Sequence, residues 1–166
     1  MKCIRIQLLT AAVACCVMFF SACTSDSLDV GIPSLEQTTI WAGPTVTFEK
    51  ANGTDASLPA NQDQITDLVW ITRGTSGGGQ IYNAVSETSS DKDNSPAGTL
   101  WARGTTADLQ NLTFGKFRAI VDKPKQAVGE DLVLLLEEEN IAIDIKFTSW
   151  SANRQGGFAY ERSSRE

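Results

Sequence analysis

The stretch Ile141-Ala142-Ile143-Asp144-Ile145-Lys146-Phe147-Thr148-Ser149-Trp150 carries the pattern that decides the fold. Apolar side chains occupy every second position from Ile141 to Phe147. Because successive side chains of a β-strand point to opposite faces, this alternation predicts a strand with one face in the core. The opposite face would then carry Asp144, Lys146 and Trp150.

Strand-like segments recur along the chain, and turn-forming residues separate them. The hairpin candidate Glu137-Glu138-Glu139-Asn140 precedes residue 141, and Asn tolerates the left-handed backbone that such turns need. The one helical candidate, residues 109–121, is interrupted by Gly115. The sequence therefore predicts an all-β domain, an antiparallel β-sandwich or jelly-roll-like fold with at most one short helix. The further predicted strands are residues 45–50, 67–72, 80–85, 99–103, 132–136 and 158–162.

The N-terminus has the pattern of a targeting signal. Lys2 and Arg5 precede an apolar run over residues 8–20, which is shorter than the roughly 20 residues of a membrane span. The run ends in Phe20-Ser21-Ala22-Cys23, which resembles a bacterial lipoprotein signal with Phe where Leu is most common. This resemblance implies that residues 1–22 are a signal peptide and that Cys23 receives lipid. Ordinary secretory cleavage after Ala22 is the alternative, and its enzyme prefers a small residue at position 20.

The signal also indicates where the protein is sorted, and the residues after it indicate the domain organisation. No Asp follows Cys23, so the resemblance implies the outer membrane, with the leaflet left open. Residues 23–40 are rich in Ser, Thr, Asp and Gly and predict a flexible tether. We expect one β domain over residues 41–162, which is long enough to bury a core, and a tail over residues 163–166. Once the signal is removed, Cys23 is the only cysteine, so no internal disulfide can form.

Composition excludes several classes of function. The chain has no histidine, which excludes Ser-His-Asp catalysis and imidazole metal sites. Its formal net charge of −6 argues against a nucleic-acid partner. Asp91-Lys92-Asp93-Asn94-Ser95 spaces oxygen ligands as a calcium loop does, but Pro96 and Ala102 stand where an EF-hand needs Gly and Glu. We therefore predict no metal and no cofactor, and calcium lacks a complete motif.

Five blocks between residues 69 and 162 occur in a familiar combination. They are Val69-Trp70-Ile71-Thr72-Arg73-Gly74, Ile81-Tyr82-Asn83, Ser95-Pro96-Ala97-Gly98-Thr99 with Trp101-Ala102, residues 143–150, and Gly156-Gly157-Phe158-Ala159-Tyr160-Glu161-Arg162. Together they resemble an uncharacterised β-rich domain of secreted and surface-anchored bacterial proteins. The likeness spans about residues 67–162. It implies a location at the cell surface and brings no activity with it.

Three loops and faces are weighed as sites. The Gly-rich loop that begins at Arg73 could cradle a phosphate, but it lacks the spacing and lysine of a P-loop and suits a hairpin better. Glu137, Glu138 and Glu139 could hold a cation or act as acid and base, but a hairpin tip is convex and wet. Trp41, Trp70 and Trp101 adjoin strands and are predicted as core anchors rather than as a binding cage.

The remaining candidate is the strand face with Asp144, Lys146 and Trp150. A carboxylate, an ammonium and an indole on one face could form a glycan platform. The alternatives are a solvated face with a local ion pair, and a bend at residues 149–151 that takes Trp150 into the core. We therefore predict no catalytic residue and a surface module that binds glycan or protein or is structural. The rival hypothesis is a glycan hydrolase that uses two carboxylates.

Overall fold

A computed structural model describes residues 35–75 and 79–166 of the chain. The predicted signal peptide, Cys23 and most of the predicted tether lie outside these residues. No helix within the described ranges is long and apolar enough to cross a membrane. The strands are β1 Thr39–Trp41, β2 Gly43–Lys50, β3 Asp63–Gln64, β4 Trp70–Arg73, β5 Ile81–Asn83, β6 Thr99–Arg103, β7 Leu132–Leu136, β8 Ile141–Trp150 and β9 Phe158–Ser164. The α-helix is α1 Phe117–Val121, and 3-10 turns span Leu35–Gln37, Pro59–Asn61, Thr106–Asn111 and Pro124–Ala127.

Two sheets form the domain, and this confirms the all-β, sandwich-like prediction. The larger sheet has the antiparallel order β2-β9-β8-β7-β6, and the smaller has the order β3-β4-β5. β7 lies along one edge of β8. β1 and β9 share the other edge: β1 pairs in parallel with Ile141–Ile143, and β9 pairs antiparallel with residues 145–150.

The main core confirms the alternation along β8. Ile143, Ile145 and Phe147 are buried and pack with Trp101 and Tyr160, whereas Lys146 on the other face is exposed. A smaller apolar cluster covers the start of the second face, where Ala142 packs with residues of β7 and the 3-10 turn Thr106–Asn111. β7 is therefore covered on both sides, which explains its unbroken apolar sequence.

The predicted helical segment divides at Gly115. Its backbone N–H donates to Trp101 O (2.9 Å) and its carbonyl accepts from Trp101 N–H (2.8 Å), which forms an isolated antiparallel bridge. This pairing takes the backbone out of helical geometry, so only the five residues of α1 are α-helical.

The ordered domain is longer at both ends than the sequence predicts. β1 begins at Thr39 and a 3-10 turn spans Leu35–Gln37, so the predicted tether of residues 23–40 extends too far. β9 continues to Ser164, because Gly43 pairs with it, so part of the predicted tail is strand. Both corrections arise from pairing with distant strands, which local composition does not encode.

A buried ionic group joins the two sheets. Asp63 of β3 accepts hydrogen bonds from Arg162 Nε (2.7 Å), Arg162 Nη2 (2.9 Å) and the hydroxyl of Tyr160 (2.6 Å), both on β9. The side chains of Arg162 and Asp63 are 7% and 8% exposed. Every charged atom in this pair has a partner, as a buried ion pair requires.

Candidate binding sites at the two ends of β8

The structure brings Asp144 and Lys146 of the predicted platform to one pocket but places Trp150 elsewhere. Asp144 accepts from the backbone N–H and the hydroxyl of Thr106 (both 2.7 Å), and Lys146 donates to Asp131 (2.8 Å), on the outer face of the large sheet. Trp150 lies on the other face. The prediction that Trp150 shares a strand face with Asp144 and Lys146 is therefore wrong.

A β-bulge causes this change of face. The register between β8 and β9 shifts between Phe147 and Ser149, so Thr148 is an extra residue. One extra residue reverses the alternation beyond it. Trp150 consequently packs against the main core, with its ring centroid 5.6 Å from that of Phe147 and 6.1 Å from that of Phe158. The bend considered for residues 149–151 is the alternative that fits.

The acidic segments lie in turns, as expected. Asn140 has φ +50°, which confirms the left-handed hairpin position. Glu139 Oε2 accepts from the hydroxyl of Thr66 (2.8 Å). In the loop predicted as an incomplete calcium motif, hydrogen bonds from the Asp93 backbone and the Asn94 side chain lower the pKa of Asp91. Within residues 35–75 and 79–166, no group of three or more Cys, Asp or Glu side chains could hold a metal ion.

The first candidate site, here called the Trp41 cavity, lies at the N-terminal end of β8. Its volume is about 670 Å³. Trp41 is half-buried: it packs against the core, as predicted, and it also forms part of the wall. The carboxylates of Asp67 and Glu139 line the same cavity. Its remaining lining is Thr39, Val46, Ile65, Thr66, Ile141, Arg162, Ser164 and Arg165.

The second candidate site, here called the Trp150 cavity, lies at the C-terminal end of β8 and has a volume of about 250 Å³. β8 is ten residues long, so the two ends are about 30 Å apart. Five cationic side chains line this cavity, and no described Asp or Glu does. They are Arg73, Arg118, Lys123, Lys125 and Arg154.

Arg73 is the buried member of this set, and only 2% of it is exposed. Its guanidinium donates to the carbonyls of Gly79 (2.6 Å), Ser151 (3.0 Å) and Gly157, and to the Ser151 hydroxyl (3.1 Å). Its Cζ lies 4.1 Å from the centroid of the Trp150 ring, in a cation–π contact. Burial lowers the pKa of Arg73 to about 10. Its charge therefore has neutral partners and no described carboxylate.

A second buried cation lies beside Arg73. Lys50 is 1% exposed, and its Nζ donates to the carbonyls of Thr54 (2.9 Å) and Gly156 (3.2 Å). Burial, and next the charge of Arg73, lower the pKa of Lys50, and the charge of Asp55 opposes them. The positive potential of Arg73 thus reaches its neighbours inside the fold.

The other four cations come from three segments of the chain and are exposed. Arg118 lies on α1, Lys123 and Lys125 flank the start of the turn Pro124–Ala127, and Arg154 lies in the β8–β9 connection at φ +58°. None of the four forms an ion pair within the described part of the chain. Sequence reasoning missed this site because its five cations are scattered between positions 73 and 154 and form no contiguous motif. The only local signal is Lys123-Pro124-Lys125.

Comparison with known proteins adds no assignment. The sequence matches no protein-family model, no curated protein and no solved structure. The resemblance to a β-rich surface domain therefore stays a prediction, and the geometry of the two cavities carries the functional argument.

Proposed function

We propose that this chain is an outer-membrane lipoprotein, held by lipid on Cys23, whose β domain binds a glycan without changing it chemically. The anchor is supported by Phe20-Ser21-Ala22-Cys23 at the end of the apolar run over residues 8–20. An N-terminal lipid would leave the whole β domain free to face its ligand.

The observation that carries the binding proposal is the composition of the Trp41 cavity. Its volume of about 670 Å³ lies in the range of roughly 300–1,000 Å³ that small-molecule sites occupy. Trp41 offers an indole on which a sugar ring can stack. Asp67 and Glu139 offer acceptors for sugar hydroxyls, and charged acceptors make the stronger hydrogen bonds.

The charges around this cavity nearly cancel. The pair of Arg162 with Asp63 is neutral, so Arg165 remains beside the carboxylates of Asp67 and Glu139 and leaves one negative charge. A net charge this small suits an uncharged polyhydroxyl ligand better than a strongly ionic one. The hydrogen bond from the Thr66 hydroxyl holds the Glu139 carboxylate in place as a hydrogen-bond acceptor. A residue that binds sugar hydroxyls must provide such an acceptor.

A carboxylate-based hydrolase is the second candidate function, and one observation favours it. Asp67 and Glu139 line the same cavity, and glycoside hydrolysis needs two carboxylates that flank one bond. The two proposals make different demands on these residues. Binding requires hydrogen-bond acceptors, whereas hydrolysis also requires one carboxyl that delivers a proton.

A glycan array with the detergent-solubilised lipoprotein tests the binding proposal. We expect uncharged glycans to bind, and Trp41→Ala to weaken their affinity by about tenfold or more because a central aromatic contact is lost. Trp41→Phe is the matched control and should retain most of the affinity. Equal binding by wild type and Trp41→Ala, or no bound glycan at all, contradicts the proposal.

The same glycans separate binding from hydrolysis. We expect no new reducing ends when bound glycan is incubated with the wild-type protein. Release of reducing ends that both Asp67→Asn and Glu139→Gln abolish would replace the binding proposal with the hydrolase.

Lipid attachment is tested with labelled palmitate in growing cells. We expect wild type and Cys16→Ala to incorporate label, since Cys16 lies inside the proposed signal peptide, and Cys23→Ala to incorporate none. Equal labelling of the Cys23→Ala protein would show that the anchor assignment is wrong.

A further inference from the structure

We propose that the Trp150 cavity binds a saccharide that carries several sulfate or phosphate esters. This site is separate from the Trp41 cavity, and the inference does not rest on the function proposed there. It is carried by charge, burial and shape at the C-terminal end of β8.

The first step is the concentration of charge. The whole chain has a net charge of −6, yet five of its 14 Lys and Arg residues line one cavity of about 250 Å³. No described carboxylate lies among them. Like charges so close together repel one another, and an anion bound between them removes that repulsion. An acidic protein with this local arrangement is a selective anion receptor at one end.

Arg73 supplies a fixed charge at the base of the cavity. Four hydrogen bonds to neutral oxygens and the stacking contact with Trp150 hold its guanidinium in place. Because it is removed from water, its field is screened less than that of a surface cation. Most of its N–H groups are occupied, so Arg73 acts as a positioning residue through its charge.

The exposed cations provide the direct contacts. Arg118, Lys123, Lys125 and Arg154 are free of ion pairs in the described structure, so no internal carboxylate has to be displaced before they bind. The forked guanidinium of Arg118 or Arg154 can donate two parallel hydrogen bonds to one sulfate or phosphate group. Four such side chains around one cavity suit a ligand with more than one anionic group.

The saccharide part is indicated by Trp150 and by the shape of the site. Trp150 is half-buried and lines the cavity, with Arg73 over its ring. The part of the indole that lines the cavity gives the ligand an apolar contact beside the anionic groups. A site with a volume of about 250 Å³ also fits an oligosaccharide end better than a nucleic-acid duplex, which needs an extended basic face.

The test uses the full-length lipoprotein in detergent and a heparin octasaccharide as the sulfated probe, with its chemically desulfated form as the control ligand. We expect the sulfated form to bind and the desulfated form to bind at least about tenfold more weakly. Vesicles that contain lipid A, a phosphorylated saccharide on a lipid, form the second arm, and vesicles without lipid A are their control because an acyl anchor on Cys23 inserts into any bilayer. Binding that requires sulfate or lipid A supports the site, and comparison of the two probes separates a free glycan from a glycolipid headgroup.

Charge variants locate the binding. The double variant Arg118→Gln/Lys125→Gln should weaken probe binding at least about tenfold, because two contacts at the cavity are lost. The matched control Lys92→Gln/Lys116→Gln removes two exposed cations outside the cavity and should stay within about twofold of wild type. All four substitutions are at exposed positions, and unchanged thermal unfolding shows that each variant is folded.

Three results would overturn the inference. They are no binding of either probe, equal binding of the sulfated and desulfated octasaccharide, and equal weakening by the two double variants. The last would mean diffuse attraction to the protein surface rather than a site. None of these results bears on uncharged glycans at the Trp41 cavity, so the two proposals fail independently.

Discussion

Two arginines are buried in the described part of the chain, and their charges have different kinds of partner. Arg162, which lines the Trp41 cavity, forms two hydrogen bonds to the carboxylate of Asp63. Burial would lower the pKa of Arg162, but the hydrogen bonds and the charge of Asp63 outweigh it and raise the pKa. Arg73, which lines the Trp150 cavity, has carbonyls, a hydroxyl and an indole as partners, and burial lowers its pKa to about 10.

The difference shows how one domain can offer two kinds of surface. Where the buried cation has its own carboxylate, the local charge is close to zero and the neighbouring cavity suits an uncharged ligand. Where only dipoles solvate the cation, its charge persists and adds to that of the exposed cations around it. We therefore expect the end of β8 near Arg73 to attract anions more strongly than the end near Trp41.

The largest expected effect comes from breaking the neutralised pair. Asp63→Asn leaves the charge of Arg162 buried without a counter-ion, which costs about 3 to 5 kcal/mol in the free energy of unfolding. A urea titration of wild type and variant measures the loss. Asp131→Asn is the control, because its partner Lys146 is exposed, and its unfolding curve should overlay that of wild type. Similar curves for all three proteins would show that the Asp63 pair is not a structural clamp.

Trp150→Ala has the next largest effect. Its ring contacts Phe117, Phe147 and Phe158 at centroid distances of 5.6 to 6.1 Å and supports Arg73 from one side. Truncation removes this packing and should cost about 3 kcal/mol in the free energy of unfolding. A loss below about 1 kcal/mol in the same urea titration would show that Trp150 is a free surface platform, as its alternation along β8 first indicated.

Some strands of this fold can be predicted from the sequence, and others cannot. β6, β7 and β8 begin and end at the predicted residues, because apolar runs, alternation and turn residues encode them locally. β1 was not predicted, since its three residues are strand only through pairing with β8. The face of Trp150 depends on a bulge opposite β9, and a reading of β8 alone cannot find it.

The basic site was beyond sequence reasoning for a related reason. Arg73 and Arg154 are 81 positions apart in the sequence and line one cavity because Arg73 is hydrogen-bonded to Ser151 and Gly157, on either side of Arg154. The sequence also could not show that Arg73 lacks a carboxylate partner, because ion pairs such as that of Arg162 with Asp63 join residues 99 positions apart. The composition gives the net charge of the chain, but it does not show how the charged side chains are divided between the two ends of β8.

A smaller effect is expected from salt, which should lower ligand affinity at the Trp150 cavity more than at the Trp41 cavity. Between 50 and 300 mM NaCl we expect the affinity for the heparin octasaccharide to fall by about tenfold, because salt screens the exposed contacts of Arg118, Lys123 and Lys125. Affinity for an uncharged glycan at the Trp41 cavity should change by less than about twofold. Isothermal titration at the two salt concentrations measures both, and equal salt dependence would remove the contrast between the cavities.

The smallest expected effect is that of pH on the basic end. Although burial lowers the pKa of Arg73 to about 10, this value is well above neutrality, so its charge is retained between pH 6 and 8.5. The chain has no histidine that could titrate in this interval, and sulfate esters keep their charge there. Affinity for the sulfated octasaccharide should then vary by less than about twofold over this interval. A steep loss between pH 7 and 8.5, measured by the same titration, would mean that Arg73 deprotonates far more easily than its surroundings indicate. In that case Arg73 would not carry the uncompensated charge that distinguishes it from Arg162.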